Sequence, residues 1–344
     1  MKKITAVNFT VNKDVPCDIS IVVPAYNEQE VLPLFHRRLL ASLKKLNTRW
    51  EIIYVDDGST DNTVAILKQL HSVTENVGVL QLSRNFGKEQ AMSAGLKQAK
   101  GNAVIIIDAD LQDPPELIPS MVARWREGAD VINMRRSSRQ GESVFKRATA
   151  HCFYRVINKL SREEIATNVG DFRLFSRRVV DALNQLTESN RFMKGLFSWV
   201  GFDQVIMDYH RDPRAAGETK WNYWKLWNFA LEGITSFTTA PLKVATYVGF
   251  LSAIFSFSYA FYFVFKTMFI GDTVNGFPTL IVTILMLGGL QLIAIGVVGE
   301  YLGRIFIESK NRPLFLIDAY MLPRRDLSSI KADSEQQILQ EGGR

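Results

Sequence analysis

The sequence predicts an α/β domain with a mainly parallel sheet and helices on both faces, followed by amphipathic interfacial helices and two transmembrane helices. Three observations carry this reading. β-branched apolar runs alternate with helical patterns from Ile19 to Met134, the signature of parallel strands joined by crossover helices. Polar and acidic clusters follow the strands, where open α/β sheets bind their ligands. Two long charge-free runs lie towards the C-terminus: 22 residues from Val244 to Phe265 and 27 from Thr273 to Gly299.

The elements follow in order. Ile19–Val23 is a β-branched run ended by Pro24, and Glu28 to Leu46 reads as a helix. Glu51–Val55 is the second strand and Asp61 to His71 the second helix. Val77–Leu82 and Lys88 to Ala99 form the third pair, and Ala103–Ile107 is a fourth, strongly apolar strand. Pro114 to Glu127 is helical, and Asp130–Met134 is a fifth strand. Ala148 to Leu160 carries apolar residues at helical spacing, and Trp221 to Phe237 is dense in Trp and Tyr just before the first charge-free run. A core helix explains either stripe; the tryptophans favour an interfacial helix for the second.

At about 1.5 Å per residue the first charge-free run reaches roughly 33 Å, enough to cross a hydrocarbon core. The link from Lys266 to Pro278 contains Gly271, Asp272, Asn275 and Gly276 and suits a short exposed turn. Basic residues flank the outer ends, among them Arg214, Lys220, Lys225, Lys243, Arg304, Lys310, Arg312, Arg324 and Arg325. By the positive-inside rule both ends face the cytoplasm. The N-terminus lacks the apolar core of a signal peptide, so the first 240 residues or so are expected to stay cytoplasmic. The predicted organisation is an N-terminal extension (1–16), a catalytic domain (17–212), a juxtamembrane amphipathic helix (213–240), a two-helix transmembrane hairpin (241–303) and a cytosolic tail (304–344), charged and disordered from Leu327 onward.

Composition agrees with a protein of two unlike parts. Of 344 residues, 47% are hydrophobic and 22% charged, which excludes disorder, collagen and coiled coil as descriptions of the whole chain. The mean hydropathy of zero is high for a soluble protein and low for a membrane protein. Cys17 and Cys152 cannot build a disulfide framework, which fits a reducing compartment. The balance of 41 basic against 35 acidic residues suits phosphate ligands or an anionic membrane without requiring nucleic acid.

The chemistry-bearing residues sit after the strands. Pro24-Ala25-Tyr26-Asn27-Glu28 follows the first, Asp56-Asp57-Gly58-Ser59-Thr60-Asp61 the second, and Asp108-Ala109-Asp110-Leu111-Gln112-Asp113 the fourth. Asn27, Thr60 or Asp61 would serve as helix caps. Capping uses one short polar residue per helix, however, and leaves Asp56-Asp57 and Asp108/Asp110 as surplus carboxylates. Such surplus is tolerable beside a cation or a hydrogen-bonding ligand. Asp108, Asp110 and Gln112 are hard oxygen donors with no Cys or His among them, which suits Mg²⁺ or Mn²⁺ and disfavours zinc. A hard cation on one or two carboxylates usually bridges substrate phosphates, so a nucleoside diphosphate is the natural ligand. The chain has no Walker-type phosphate loop and no Gly-x-Gly-x-x-Gly after the first strand. His36, His71, His151 and His210 lack metal-ligand spacing.

These clusters, together with Arg84-Asn85-Phe86-Gly87-Lys88-Glu89, Asn168-Val169-Gly170-Asp171-Phe172-Arg173-Leu174, Phe192-Met193-Lys194-Gly195 and Gly217-Glu218-Thr219-Lys220-Trp221, resemble the inverting family 2 glycosyltransferases of GT-A (Rossmann-like) fold. With the two apolar runs they resemble polyprenyl-phosphate glycosyltransferases, above all the bactoprenol glucosyltransferases of O-antigen modification clusters. The resemblance covers roughly residues 17 to 315.

The resemblance implies transfer of a sugar, glucose first, from a UDP-sugar donor to undecaprenyl phosphate at the bacterial inner membrane. UDP-GlcNAc, UDP-galactose and GDP-mannose are the alternative donors. It implies that Asp56 and Asp57 hold the uracil and ribose region beside Pro24, Tyr26 and Glu28. Asp108 and Asp110, with Ala109 between them and with Gln112, would bind the metal on the diphosphate. Arg84 and Lys88 point to the same rim, to contact nucleotide or sugar, although an exposed lysine that merely starts a helix fits Lys88 equally. A phosphate monoester is already anionic near neutral pH, with a second pKa of about 6, so no strong general base is needed. Basic residues must instead bring two anions together. The candidates are Arg135, Arg136, Arg139, Lys146, Arg147 and Arg173; Arg136, Arg139 and Arg173 are the favoured phosphate contacts, and Lys146 and Arg147 equally suit anionic headgroups. A homo-oligomer, and a flippase and a second glycosyltransferase acting downstream, are the implied partners.

Two other readings are weaker. A processive or hydroxyl-directed synthase expects Gln-x-x-Arg-Trp, yet Arg49-Trp50 and Arg124-Trp125 have no Gln at that spacing. A non-catalytic membrane adaptor has no need of Asp57, Asp108 and Asp110 together.

Overall fold

The computed structural model describes residues 17–137, 169–188, 191, 193–210, 240–270 and 276–324. Arg139, Lys146, Arg147, the 148–160 segment and the 213–237 segment lie outside the described residues.

The first half alternates as the sequence predicts. β1 (Ile19–Ala25), α1 (Leu32–Leu43), β2 (Trp50–Asp56), α2 (Thr63–Val73), β3 (Val77–Leu82), α3 (Lys88–Gln98) and β4 (Ala103–Ile106) come first. A 3-10 turn at Pro115–Leu117 leads into α4 (Ile118–Arg126) and β5 (Val131–Arg136). The predicted first helix starts four residues late, at Leu32, with Pro33 in its first turn, where a missing N–H costs nothing. Then follow β6 (Val169–Ser176), α5 (Arg177–Gln185), α6 (Met193–Trp199), β7 (Gln204–Tyr209), the long helices α7 (Ala240–Ile270) and α8 (Phe277–Ser309), and β8 (Ile317–Met321).

The strands form one eight-stranded sheet in the order β7-β5-β6-β4-β1-β2-β3-β8. β1 is parallel to both β2 and β4, β2 to β3, and β5 to β7. β6 runs antiparallel between β4 and β5, so the fifth strand is not the neighbour of the fourth as simple alternation suggests. β8 closes the other edge antiparallel to β3. It lies after both long helices, in a stretch the sequence reading left as tail.

Each face of the sheet carries its own apolar layer. Ile19, Ile21 and Val23 of β1 face Phe35 and Leu39 of α1, Leu67 of α2, and Met121 and Trp125 of α4. Val22 faces the opposite layer, with Ala91 and Leu96 of α3, Val179 and Leu183 of α5, and Phe197 of α6. Covering both faces is why these strands read as continuous apolar runs. At Gly95, a Cβ would stand 2.2 Å from Val22 Cγ1, so this glycine lets α3 lie tight against the sheet and fixes where its N-terminus, Lys88, emerges.

α7 and α8 pack on one another and contain apolar stretches, Leu242–Tyr259 and Met286–Ser309, long enough to cross a membrane, with none of either stretch buried by protein. Phe250, Phe257, Phe261 and Leu292 are all more than 60% exposed. Only seven residues, 310–316, separate α8 from β8, so the helical pair is tied closely to the sheet.

Candidate active site

Every polar cluster lies beyond the carboxyl end of a strand. The loops after β1 and β2 are laced together: Asn27, at φ 55°, accepts from the Thr60 N–H through its Oδ1 at 2.8 Å, and its own N–H donates to Ser59 Oγ at 3.0 Å. The Glu28 N–H donates to Thr63 Oγ1 at 2.9 Å. α1 has no side-chain cap, so Asn27 shapes the loop and does not cap, whereas Asp61 Oδ1 accepts from the N–H of Thr63, the first residue of α2, at 3.0 Å. Tyr26 is exposed at 37%, on the rim beside Pro24 and Glu28.

Asp56 and Asp57 are buried, and burial raises the pKa of both carboxyls. Asp57 receives two backbone donors from the loop after β3, Phe86 N–H at 2.8 Å and Gly87 N–H at 2.9 Å. Asp56 accepts from Ser59 N–H at 3.3 Å. Gly58 sits at φ 68°, and a Cβ there would stand 2.4 Å from the Arg84 carbonyl carbon. The loops after β2 and β3 therefore touch directly, and a residue with a side chain fits neither the space nor the backbone. Arg84 is exposed, with its guanidinium 4.1 Å from the centre of the Phe86 ring.

The loop after β4 carries the central carboxylates. Asp108, Asp110 and Gln112 are half-buried and Ala109 is buried. Asp110 Oδ1 accepts from the Gln112 N–H at 3.1 Å. Leu111 holds φ at 61° with its side chain in the core. A left-handed leucine is costly, and the buried side chain is what retains it. The tight turn thereby presents Asp108 and Asp110 on the open side.

Lys88 Nζ donates to Asp108 Oδ2 at 2.7 Å and to Asp171 Oδ2 on its other side. Its side chain is 42% exposed, with the ammonium held between the two carboxylates. Burial would lower its pKa, and the two carboxylates more than reverse that, holding it above its ordinary range. Burial is also the main reason the Asp108 carboxyl is pushed up to about 6: Lys88 opposes the rise, and Asp171, Asp113 and Asp110 add to it. Asp171 belongs to β6, outside the acidic clusters that follow the strands. It reaches the site because β6 runs antiparallel beside β4, pairing Ile106 with Arg173 and Ala103 with Ser176, a long-range match that no local pattern reveals.

The predicted arginines divide. Arg136, at the end of β5, is half-buried; burial would lower its pKa, and the Tyr209 hydroxyl with the charges of Asp113 and Asp108 more than reverses that. Arg135 pairs outward with Asp208 at 2.7 Å. Arg173 does not reach the open rim: it is 2% exposed, with Nε donating to the Gly170 carbonyl at 3.0 Å and its guanidinium 4.7 Å from the Phe197 ring centre. In β6 its side chain alternates onto the covered α3 and α6 face, which is why a basic residue here is a packing element.

Asp108 and Asp110 fit a hard divalent cation by donor chemistry, all carboxylate oxygen on one turn. Among the described residues no three acidic, His or Cys side chains gather around a possible ion. The remaining ligands would then be the Gln112 amide, substrate phosphate and water, the usual arrangement for Mg²⁺.

Comparison with known proteins fits this geometry. Residues 20–183 match glycosyl transferase family 2, and residues 240–305 match the GtrB C-terminal hairpin. An uncharacterized glycosyltransferase of Synechocystis sp. is 52% identical over 300 residues, covering 87% of this chain and 94% of its own. The chain belongs to glycosyl transferase family 2. A bactoprenol glucosyl transferase of Shigella phage SfV is 49% identical over 299 residues, covering 87% of this chain and 97% of that protein. A crystal structure of S. aureus TarS 1-349 with UDP-GlcNAc aligns over 83% of this chain and 81% of its own, at 17% identity and a TM-score of 0.41. The family 2 match spans β1 to α5 and so contains Asp57, Lys88, Asp108, Asp110, Arg136 and Asp171; the hairpin match spans α7 and most of α8.

Proposed function

We propose that this family 2 glycosyltransferase moves glucose from UDP-glucose to a polyprenyl monophosphate, undecaprenyl phosphate, at the cytoplasmic face of the bacterial inner membrane. The observation that carries the reading is the joining of one strand-end site, holding Asp108, Asp110, Lys88 and Arg136, to two unburied apolar helices by a seven-residue link. The similarity to proteins named bactoprenol glucosyl transferase supports the donor sugar and the lipid acceptor. α7 and α8 would cross the membrane as a pair, with Lys243 and Arg304, Lys310 and Arg312 holding both outer ends on the cytoplasmic side.

The mechanism is a direct displacement. An acceptor phosphate oxygen, already anionic, attacks the anomeric carbon. The new C–O bond forms as the bond to the UDP oxygen breaks, UDP leaves with the electron pair, and the configuration inverts. Asp57, Pro24, Tyr26 and Glu28 line the side where the nucleoside would lie, with Arg84 at its rim. Lys88 places a cation against the Asp108 carboxylate, and Arg136 supplies the charge that draws in the acceptor phosphate. Asp108, Asp110 and Gln112 would hold Mg²⁺ or Mn²⁺, which would supply positive charge to the leaving diphosphate. A flippase and a second transferase would use the lipid-linked product, and association of copies through α7 and α8 belongs to the same reading.

The test is transfer of labelled glucose into the lipid fraction by membranes carrying Asp108→Asn or Asp110→Asn. Each is expected to cut the rate by roughly a hundredfold or more. Full activity in Asp110→Asn would overturn the metal assignment, and full activity in both would overturn the mechanism.

A further inference from the structure

We propose that Asp113 and Tyr209 are positioning residues that hold the Arg136 guanidinium beside Asp108 and so set the site's affinity for the acceptor phosphate. The inference rests on the reading of Arg136 given above and deepens it. Arg136 and Tyr209 end the parallel strands β5 and β7 and are directly paired in register, so their side chains leave the sheet on the same face. The Tyr209 hydroxyl raises the Arg136 pKa and donates onward to Asp113 Oδ1. Asp113 is the last residue of the loop that starts at Asp108. The relay therefore ties the end of β5, the end of β7 and the metal-side loop into one unit.

The Tyr209–Asp113 pair of this unit is buried. Asp113 is fully buried and Tyr209 is 4% exposed. The Phe172 ring meets the Tyr209 ring edge-on at 6.2 Å, and the Ser137 N–H closes onto the Tyr209 carbonyl at 2.9 Å. Burial and the Asp113 carboxylate raise the Tyr209 hydroxyl's pKa, which keeps it protonated as a donor. Gly170 leaves room on the other flank, since a Cβ there would stand 3.1 Å from Arg136 Nη2. An apolar packing site would not enclose a carboxylate, whose burial is costly. Here the cost is offset through a tyrosine, which leaves the arginine, within the electrostatic reach of Asp113 and Asp108, to meet an incoming anion.

The experiment uses the full chain in detergent, with UDP-glucose and undecaprenyl phosphate varied in turn. Tyr209→Phe keeps the ring and removes the relay; it is expected to raise the acceptor KM about tenfold while the donor KM stays within about twofold. Asp113→Asn is expected to shift the acceptor KM in the same direction and serves if the first variant is unstable. In an Arg136→Gln background, Tyr209→Phe is expected to add almost nothing, because both act through one group. An acceptor KM unchanged in Tyr209→Phe, or raised together with the donor KM, would overturn the inference while Arg136→Gln still weakens acceptor binding. An acceptor KM unaffected by Arg136→Gln would overturn the role given to Arg136 and the inference with it.

Discussion

Lys88 Nζ stands 2.7 Å from Asp108 Oδ2, so the first residue of α3 neutralises the first carboxylate after β4. Asp171 closes on the same ammonium from β6. Without this cation, two half-buried carboxylates would face each other beside the diphosphate position. Lys88→Met is expected to lower kcat/KM for UDP-glucose at least tenfold, a loss of about 1.4 kcal/mol or more in transition-state stabilisation. Initial rates at subsaturating donor check it; an unchanged rate would make Lys88 a mere helix-start residue.

Gly58 is predicted to tolerate no side chain. Its φ of 68° and the 2.4 Å that would separate a Cβ from the Arg84 carbonyl carbon oppose any replacement. Gly58→Ala is expected to cost about 2 kcal/mol or more. It is also expected to raise the donor KM, because the displaced loop holds both backbone donors to Asp57. Thermal unfolding and donor kinetics on the same preparation read the two effects.

His36 is buried beside Tyr54, its Nδ1 2.9 Å from the hydroxyl, and burial lowers its pKa to about 4. The unfolded chain protonates this histidine near 6.5. The folded state disfavours the proton, so the stability from a neutral His36 is present above about pH 6.5 and is lost as pH falls towards 4. The loss amounts to about 3 kcal/mol. His36→Gln keeps a hydrogen-bonding group and is expected to flatten this part of the acid dependence, measured as melting temperature at pH 7 and at pH 4.5.

β8 should be a structural part of the catalytic sheet. The Ser83 N–H donates to the Leu316 carbonyl at 2.9 Å, just ahead of the loop that serves Asp57, and Phe315 and Tyr320 pack on the α3-side layer. Ending the chain at Asn311 exposes the β3 edge and is expected to lower the melting temperature by at least about 5 °C. An unchanged melting temperature would mean that the edge strand contributes nothing.

Much of this was legible in the sequence because it is local. β1 to β4 announce themselves as β-branched runs, and the carboxylates lie within a few residues of each strand end. The two apolar helices follow from uninterrupted hydrophobic length. What escaped is set by tertiary pairing. β6 and β8 enter antiparallel, and β7 parallel, from far along the chain, so Asp171 meeting Lys88, and Tyr209 meeting Asp113, leave no local trace. Arg173 misled for the same reason: its segment carries charge, but alternation along β6 turns that side chain inward against Phe197.

The central claim is tested most directly by incubating membranes that contain the full chain with undecaprenyl phosphate and a panel of labelled UDP-glucose, UDP-galactose, UDP-GlcNAc and GDP-mannose. Product is counted in the organic extract, with and without divalent metal. The account predicts label chiefly from UDP-glucose, dependent on both the lipid phosphate and the metal. A dominant signal from GDP-mannose, or glucose transfer that ignores the lipid phosphate, would contradict it.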